Sequence, residues 1–129
     1  MAKPDLIGIV VQDMAAALQF YRLLGLDIPR GADTEPHVEI TLSNGFRIAW
    51  DTFELMKGIH PSWSEPAGHR MVLAFKCDSP AEVDALYHEV VGKGFLGYKS
   101  PWDAFWGQRY ATVLDPDGNG IDLFAPLEG

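Results

Sequence analysis

At 129 residues the chain is one domain's worth of polypeptide, long enough to bury a real core. Hydrophobic content of 47% beside 22% charged residues is ordinary for a soluble globular protein, and no apolar run approaches the ~20 residues of a membrane span. The formal charge of −8 argues against nucleic acid as a partner, and the single cysteine, Cys77, excludes an internal disulfide and any cysteine-cluster metal site.

The first residues, Met1-Ala2-Lys3-Pro4-Asp5, hold no apolar signal core, so a cytoplasmic location is expected. The acidic surface serves solubility or steers cationic ligands. Cys77 sits in a β-like run and reads as a small core residue rather than a nucleophile.

In chain order, Leu6–Val11 predicts a strand and Asp13–Gly25 a helix capped by Asp13, whose carboxylate can accept a first-turn amide. Met14, Ala17, Leu18, Tyr21 and Leu24, spaced by three and four, form its buried stripe. A loosely placed strand is expected at Leu26–Arg30. Next come Val38–Leu42, the loop Ser43-Asn44-Gly45, and Phe46–Asp51. A three-residue loop ending in left-handed Gly45 would pair Leu42 with Phe46, Ile40 with Ile48 and Val38 with Trp50. All six apolar side chains then share one face, and His37, Glu39, Thr41, Arg47, Ala49 and Asp51 share the other.

A weak repeat follows at an offset of 66 residues: Ile7, Ile9 and Val11 align with Leu73, Phe75 and Cys77, Asp13 with Ser79, and Tyr21 with Tyr87. Ser79-Pro80-Ala81-Glu82 is a helix start, with Pro at the first helical position and Glu at the capping-box position. Val83, Leu86, Tyr87 and Val90 form the buried stripe, and Gly92 and Gly94 are plausible stops. A strand is expected at Phe95–Lys99. The tail, Trp106–Phe124, reads as one hairpin: a short β run reaches Leu114, Asp115-Pro116-Asp117-Gly118-Asn119 makes a tight turn, and a second β run begins at Ile121.

The stretches Val11-Gln12-Asp13-Met14…Phe20-Tyr21…Leu24-Gly25-Leu26 and Asp115-Pro116-Asp117-Gly118-Asn119-Gly120-Ile121-Asp122-Leu123 resemble the glyoxalase / bleomycin-resistance / extradiol-dioxygenase superfamily, the vicinal oxygen chelate fold. The resemblance covers nearly the whole chain. It implies an α+β fold of two βαβββ modules forming a curved mixed sheet, or cup, with helices outside. The domain would be residues 1–129, with module one at about 5–52, a linker at about 53–68 and module two at about 69–127.

In metal-dependent members four inward-facing strand positions carry His, Glu, His and Glu. Carried over one at a time, these fall on Leu6, Ala49, Val72 and Asp122. Three of these have no donor atom, and a lone carboxylate is not a metal site, so no cofactor is expected. A substitute metal set would have to draw on His37, Glu39, Asp51 and Asp122. His88 reads as an exposed helix residue, His69 as a solvent-edge residue, and the place of His60 in the linker is open.

Metal-free members bind flat or amphipathic molecules between aromatic side chains, often in a crevice shared by two subunits, which implies a homodimer. Trp102 and Trp106 lie in Tyr98-Lys99-Ser100-Pro101-Trp102-Asp103-Ala104-Phe105-Trp106, a composition unlike a core strand. They either contact a ligand or plug the cup or an interface. Arg47 and Lys76 are expected to face the cup, paired with Asp122 or Asp51 or orienting an anionic ligand. The ligand-binding set is thus Trp102, Trp106, Asp122, Arg47, Lys76 and Tyr98. Trp50 belongs to the helix-facing core, and Trp63 to a lid or interface.

The first expectation is a metal-free small-molecule binding protein that sequesters a toxic or antibiotic-like aromatic or cationic compound. The alternatives are a glyoxalase-like lyase or isomerase with a non-standard metal site, an acid–base catalyst, or an assembly module without a ligand.

Overall fold

A computed structural model describes residues 3–59, 62–65 and 72–127. His60 and His69 lie outside the described residues. The elements are β1 (Leu6–Val11), α1 (Met14–Leu23), a 3₁₀ turn (Arg30–Thr34), β2 (His37–Thr41), β3 (Arg47–Thr52), α2 (Phe53–Ile59), β4 (Val72–Lys76), α3 (Pro80–Gly92), β5 (Leu96–Ala104), β6 (Gln108–Leu114) and β7 (Gly120–Pro126). They form two compact units, Met1–Arg22 with Leu26–Ala67 and Leu23–Gly25 with Gly68–Gly129.

The repeat sets the plan of both units. Asp13 caps α1, its Oδ1 accepting from the Ala16 amide at 3.1 Å. Ser79 caps α3, its Oγ accepting from Glu82 N at 3.2 Å, while Glu82 Oε1 reaches back to Asp78 N at 2.9 Å. Gly25 and Gly94 end the helices with positive φ, which a Cβ would resist.

In the first unit a three-stranded sheet has the order β1-β3-β2, with β1 parallel and β2 antiparallel to β3. Ile40 opposes Ile48 and Val38 opposes Trp50, and backbone bonds from Leu42 N to Phe46 O and from Gly45 N to Leu42 O close the three-residue loop. Gly45 has φ +90°. Val38, Ile48 and Trp50 are buried, and the Tyr21 ring of α1 lies 5.5 Å from that of Trp50. The apolar face of the hairpin therefore meets α1, as the register predicts. Phe20 joins Met14, Ala17, Leu18 and Tyr21 in the buried stripe.

One expectation about this unit is corrected. Leu26–Arg30 is not a strand, and the first module has three strands. The Arg22 guanidinium takes the Ile28 and Pro29 carbonyls at 3.1 and 2.7 Å and the Asp33 carboxylate at 2.7 Å. Those carbonyls are spent locally, and Pro29 has no amide to offer a ladder. Within the expected linker, Phe53–Ile59 form α2, and Phe53 packs 5.2 Å from the Trp63 ring.

In the second unit a four-stranded sheet has the order β4-β7-β6-β5. Here the βαβββ plan is complete. The Asp115 carboxylate holds the turn between β6 and β7, accepting from Asp117 N, Asn119 N and Asn119 Nδ2 at 2.8–2.9 Å. Gly118 alone in this turn has positive φ, so Asn119 contributes its side-chain amide rather than a left-handed backbone. Cys77 is buried, and loss of hydration pushes its thiol up to about 11, as fits a core residue.

Candidate functional site

The second sheet has a helix face and an open face. α3 packs against β5, β6 and β7, burying Val83 and Val90. Arg109 marks the helix face: its Nε and Nη2 grip the Asp84 carboxylate of α3 at 2.8 and 3.0 Å. This pairing holds the Asp84 carboxyl below its ordinary range and the guanidinium above its own. Side chains alternate along a strand, so Tyr110, Thr112, Asp122 and Phe124 project to the opposite, open face.

Strand register orders that face into rows. One row runs Ala74, Asp122, Thr112, Lys99, and the next runs Lys76, Phe124, Tyr110, Trp102. In the first, Asp122 accepts from Tyr110 Oη at 2.5 Å and from Thr112 Oγ1 at 2.8 Å, one hydroxyl to each oxygen. A carboxylate oxygen has two lone pairs, so both can accept again. Partial burial, and then the bond to Asp122, pushes the Tyr110 phenol up to about 12 and keeps it a donor.

The second row is aromatic and continues past the strand ends. Tyr110 stacks with Phe124 at 6.2 Å and 27°. The Trp106 ring stands edge-on to Tyr110 at 5.2 Å and to Trp102 at 5.5 Å, and its Nε1 donates to Gln108 Oε1 at 2.8 Å. Lys99 Nζ lies 4.9 Å over the Trp102 ring. β5 accepts Pro, Lys, Asp and Trp together because it is an edge strand with two register shifts.

The first unit has a polar open face of another kind. Arg47 bridges Asp5 and Glu39 at 2.6 Å each, and His37 bridges Glu39 at 3.2 Å and Asp51 more closely. The bond to Asp51, then that to Glu39, raises the His37 pKa against desolvation. Arg47, followed by His37, lowers that of Glu39. Arg47 is thus a paired cation, but its partners are Glu39 and Asp5 rather than Asp122 or Asp51.

A model of the Glyoxalase/Bleomycin resistance protein/Dioxygenase superfamily matches residues 3–123. The chain belongs to this superfamily. A superfamily enzyme from Burkholderia phytofirmans PsJN matches with TM-score 0.83 at 21% identity, covering 98% of this chain and 100% of that one. A glyoxalase/bleomycin resistance protein/dioxygenase from Nocardioides matches with TM-score 0.76 at 25% identity, over 100% and 86%. A glyoxalase-related enzyme from Fulvimarina pelagi matches with TM-score 0.81 at 19% identity, over 97% and 88%. No curated protein matches the chain.

The four positions that the resemblance assigns to metal ligands do not fit a metal here. Leu6, Ala49 and Val72 carry no donor, and the Asp122 oxygens are oriented by two hydroxyls. The substitute set fares no better: both ring nitrogens of His37 are engaged by carboxylates. Among the described residues no three His, Cys, Asp or Glu side chains are grouped to hold an ion.

Of the residues picked from the sequence, Trp102, Trp106, Asp122 and Lys76 belong to the open face of the second sheet. Tyr98 stands on β5 between two register positions, 70% exposed. Arg47 belongs to the first unit's ion-pair network. Tyr110, Phe124, Thr112 and Lys99 were not picked. Counting by two from Asp122 finds Phe124, and the tail hairpin's register then finds Tyr110 and Thr112.

Proposed function

We propose that this superfamily member is a metal-free small-molecule binding protein whose ligand lies on the open face of β4-β7-β6-β5. One observation carries the reading: Phe124, Tyr110, Trp102 and Trp106 make a continuous aromatic surface beside a carboxylate with unused lone pairs. Aromatic side chains offer large contact area with few rotors to freeze, which suits capture of a planar molecule. Asp122 gives the ligand an orientation by accepting its N–H or O–H. The outcome is sequestration of an aromatic, antibiotic-like or otherwise toxic compound by stoichiometric binding. No nucleophile or metal water is needed for it.

The test is a melting-temperature and tryptophan-fluorescence screen of planar aromatic compounds. A binder should raise the melting temperature, because it binds only the native state. Trp106→Ala should keep the fold, since Trp106 is 49% exposed, yet reduce the shift. If shifts are undiminished in Trp106→Ala and Tyr110→Ala, the ligand lies elsewhere.

A further inference from the structure

We infer that the ligand of this face is an aromatic anion that also carries a hydrogen-bond donor. The inference rests on the reading of the open face as the binding surface and adds the charge of its occupant. Two cations stand on this face: Lys76 ends the aromatic row, opposite Phe124 across β4 and β7, and Lys99 ends the Asp122 row, opposite Thr112 across β5 and β6. Arg22, Arg47 and Arg109 each have a carboxylate within 3.0 Å. Among the described residues Lys76 and Lys99 have no such partner within 4.0 Å.

Lys99 instead lies over Trp102, on a face that a stacking ring would use. A cationic ring would have to displace that ammonium and would meet like charge. An anionic ring brings it a counter-ion at the edge of a partly desolvated surface. Asp122 sets the second requirement. It lies one row from the aromatic row and holds one donor on each oxygen, so either oxygen can accept a further donor from the ligand. The net charge of −8 would favour cations at long range, but beyond about 8 Å salt screens it. At contact the two lysines decide.

Four probes test this in calorimetric titrations of the full chain at physiological salt: 6-hydroxy-2-naphthoate, 2-naphthoate, 2-naphthalenemethanol and 2-naphthylmethylammonium. The expected order of affinity is that order, with about tenfold between 2-naphthoate and the ammonium probe. Lys99→Gln should bring the affinity for 2-naphthoate close to that for the alcohol measured in the same variant. Asp122→Asn should abolish the advantage of the hydroxyl group while keeping the preference for the acid. Melting curves of both variants check the fold. Equal or tighter binding of the ammonium probe would overturn the anion assignment while leaving the binding face intact, and a charge preference unchanged by both Lys99→Gln and Lys76→Gln would overturn the lysines as its source. Absence of binding by all four probes at millimolar concentration would overturn the binding reading, and this inference with it.

Discussion

Tyr110 and Asp122 stand two register positions apart on neighbouring strands, on the same face, and the phenol crosses that distance to give the carboxylate its shortest bond, 2.5 Å. Tyr110 thereby does two things at once. Its ring joins Phe124 and Trp106 in the aromatic surface, and its hydroxyl aims Asp122.

Tyr110→Phe separates these roles. The ring remains, and one hydrogen bond to a part-buried carboxylate oxygen is lost. Thermal or urea unfolding should show a loss of about 1–2 kcal/mol. Because burial and Asp122 push the phenol up to about 12, the difference between parent and variant should stay flat from neutral pH to pH 10. It should then fall between pH 10 and about 12, and a difference that stays flat over that range as well would show that the folded phenol keeps its ordinary pKa.

The first sheet's register gives a second test. Ile48 is buried on the α1 side, and its neighbour Arg47 projects to the other face. Ile48→Ala should lower stability by ~2–5 kcal/mol, the range for large-to-small core changes. Arg47→Ala should cost far less than Ile48→Ala, because its ion pairs are open to solvent. Urea midpoints with unchanged m-values measure both.

The contrast between these sites and Tyr98 shows what sequence could reveal. The hairpin 38–50 was readable because only a three-residue loop puts all its apolar side chains on one face. The 66-residue repeat was readable because two capped helices follow two alternating strands. β5 resisted the same treatment. Its two register shifts break the alternation, so Tyr98 and Trp102 could not be assigned to faces by counting. Leu26–Arg30 misled for another reason. The βαβββ plan asks for a third strand there, but Arg22, four residues upstream of Leu26, takes the carbonyls that a neighbouring strand would need. The charges of the open faces show the same limit, since a sequence indicates which residues share a face but not that Arg47 finds Asp5 across 42 positions.

Gly97 sits where β5 shifts register, and a Cβ there would fall 2.1 Å from Tyr87 Oη and 2.8 Å from its Cζ. Gly97→Ala should therefore destabilise by ~1–3 kcal/mol through overpacking. Adding Tyr87→Leu should recover part of that loss, giving a coupling in a double-mutant cycle. Purely additive losses would mean that the strand itself, rather than the tyrosine, resists the methyl group.

His37 makes the first unit's stability depend on pH. Its folded pKa lies above 6.5, so its contribution is complete below 6.5 and is lost as pH rises through the raised value. Glu39 has a folded pKa below 4.5, so its contribution is complete above 4.5 and fades as pH falls through the lowered value. The network is therefore strongest between about 4.5 and 6.5. Melting temperature should fall as pH rises from 6.5 to 8.5, and His37→Gln should flatten that slope. An identical slope in the variant would remove His37 as its source.

Metal dependence bears most directly on the central claim, since the superfamily includes enzymes whereas Leu6, Ala49 and Val72 offer no ligand atoms. The decisive measurement is calorimetric titration of 2-naphthoate into protein before and after exhaustive chelation, with divalent metal content assayed in both samples. The account predicts one site per chain, an unchanged dissociation constant after chelation, and far less than one equivalent of metal in either sample. Near-stoichiometric zinc, iron, manganese or nickel that chelation removes together with binding would contradict it.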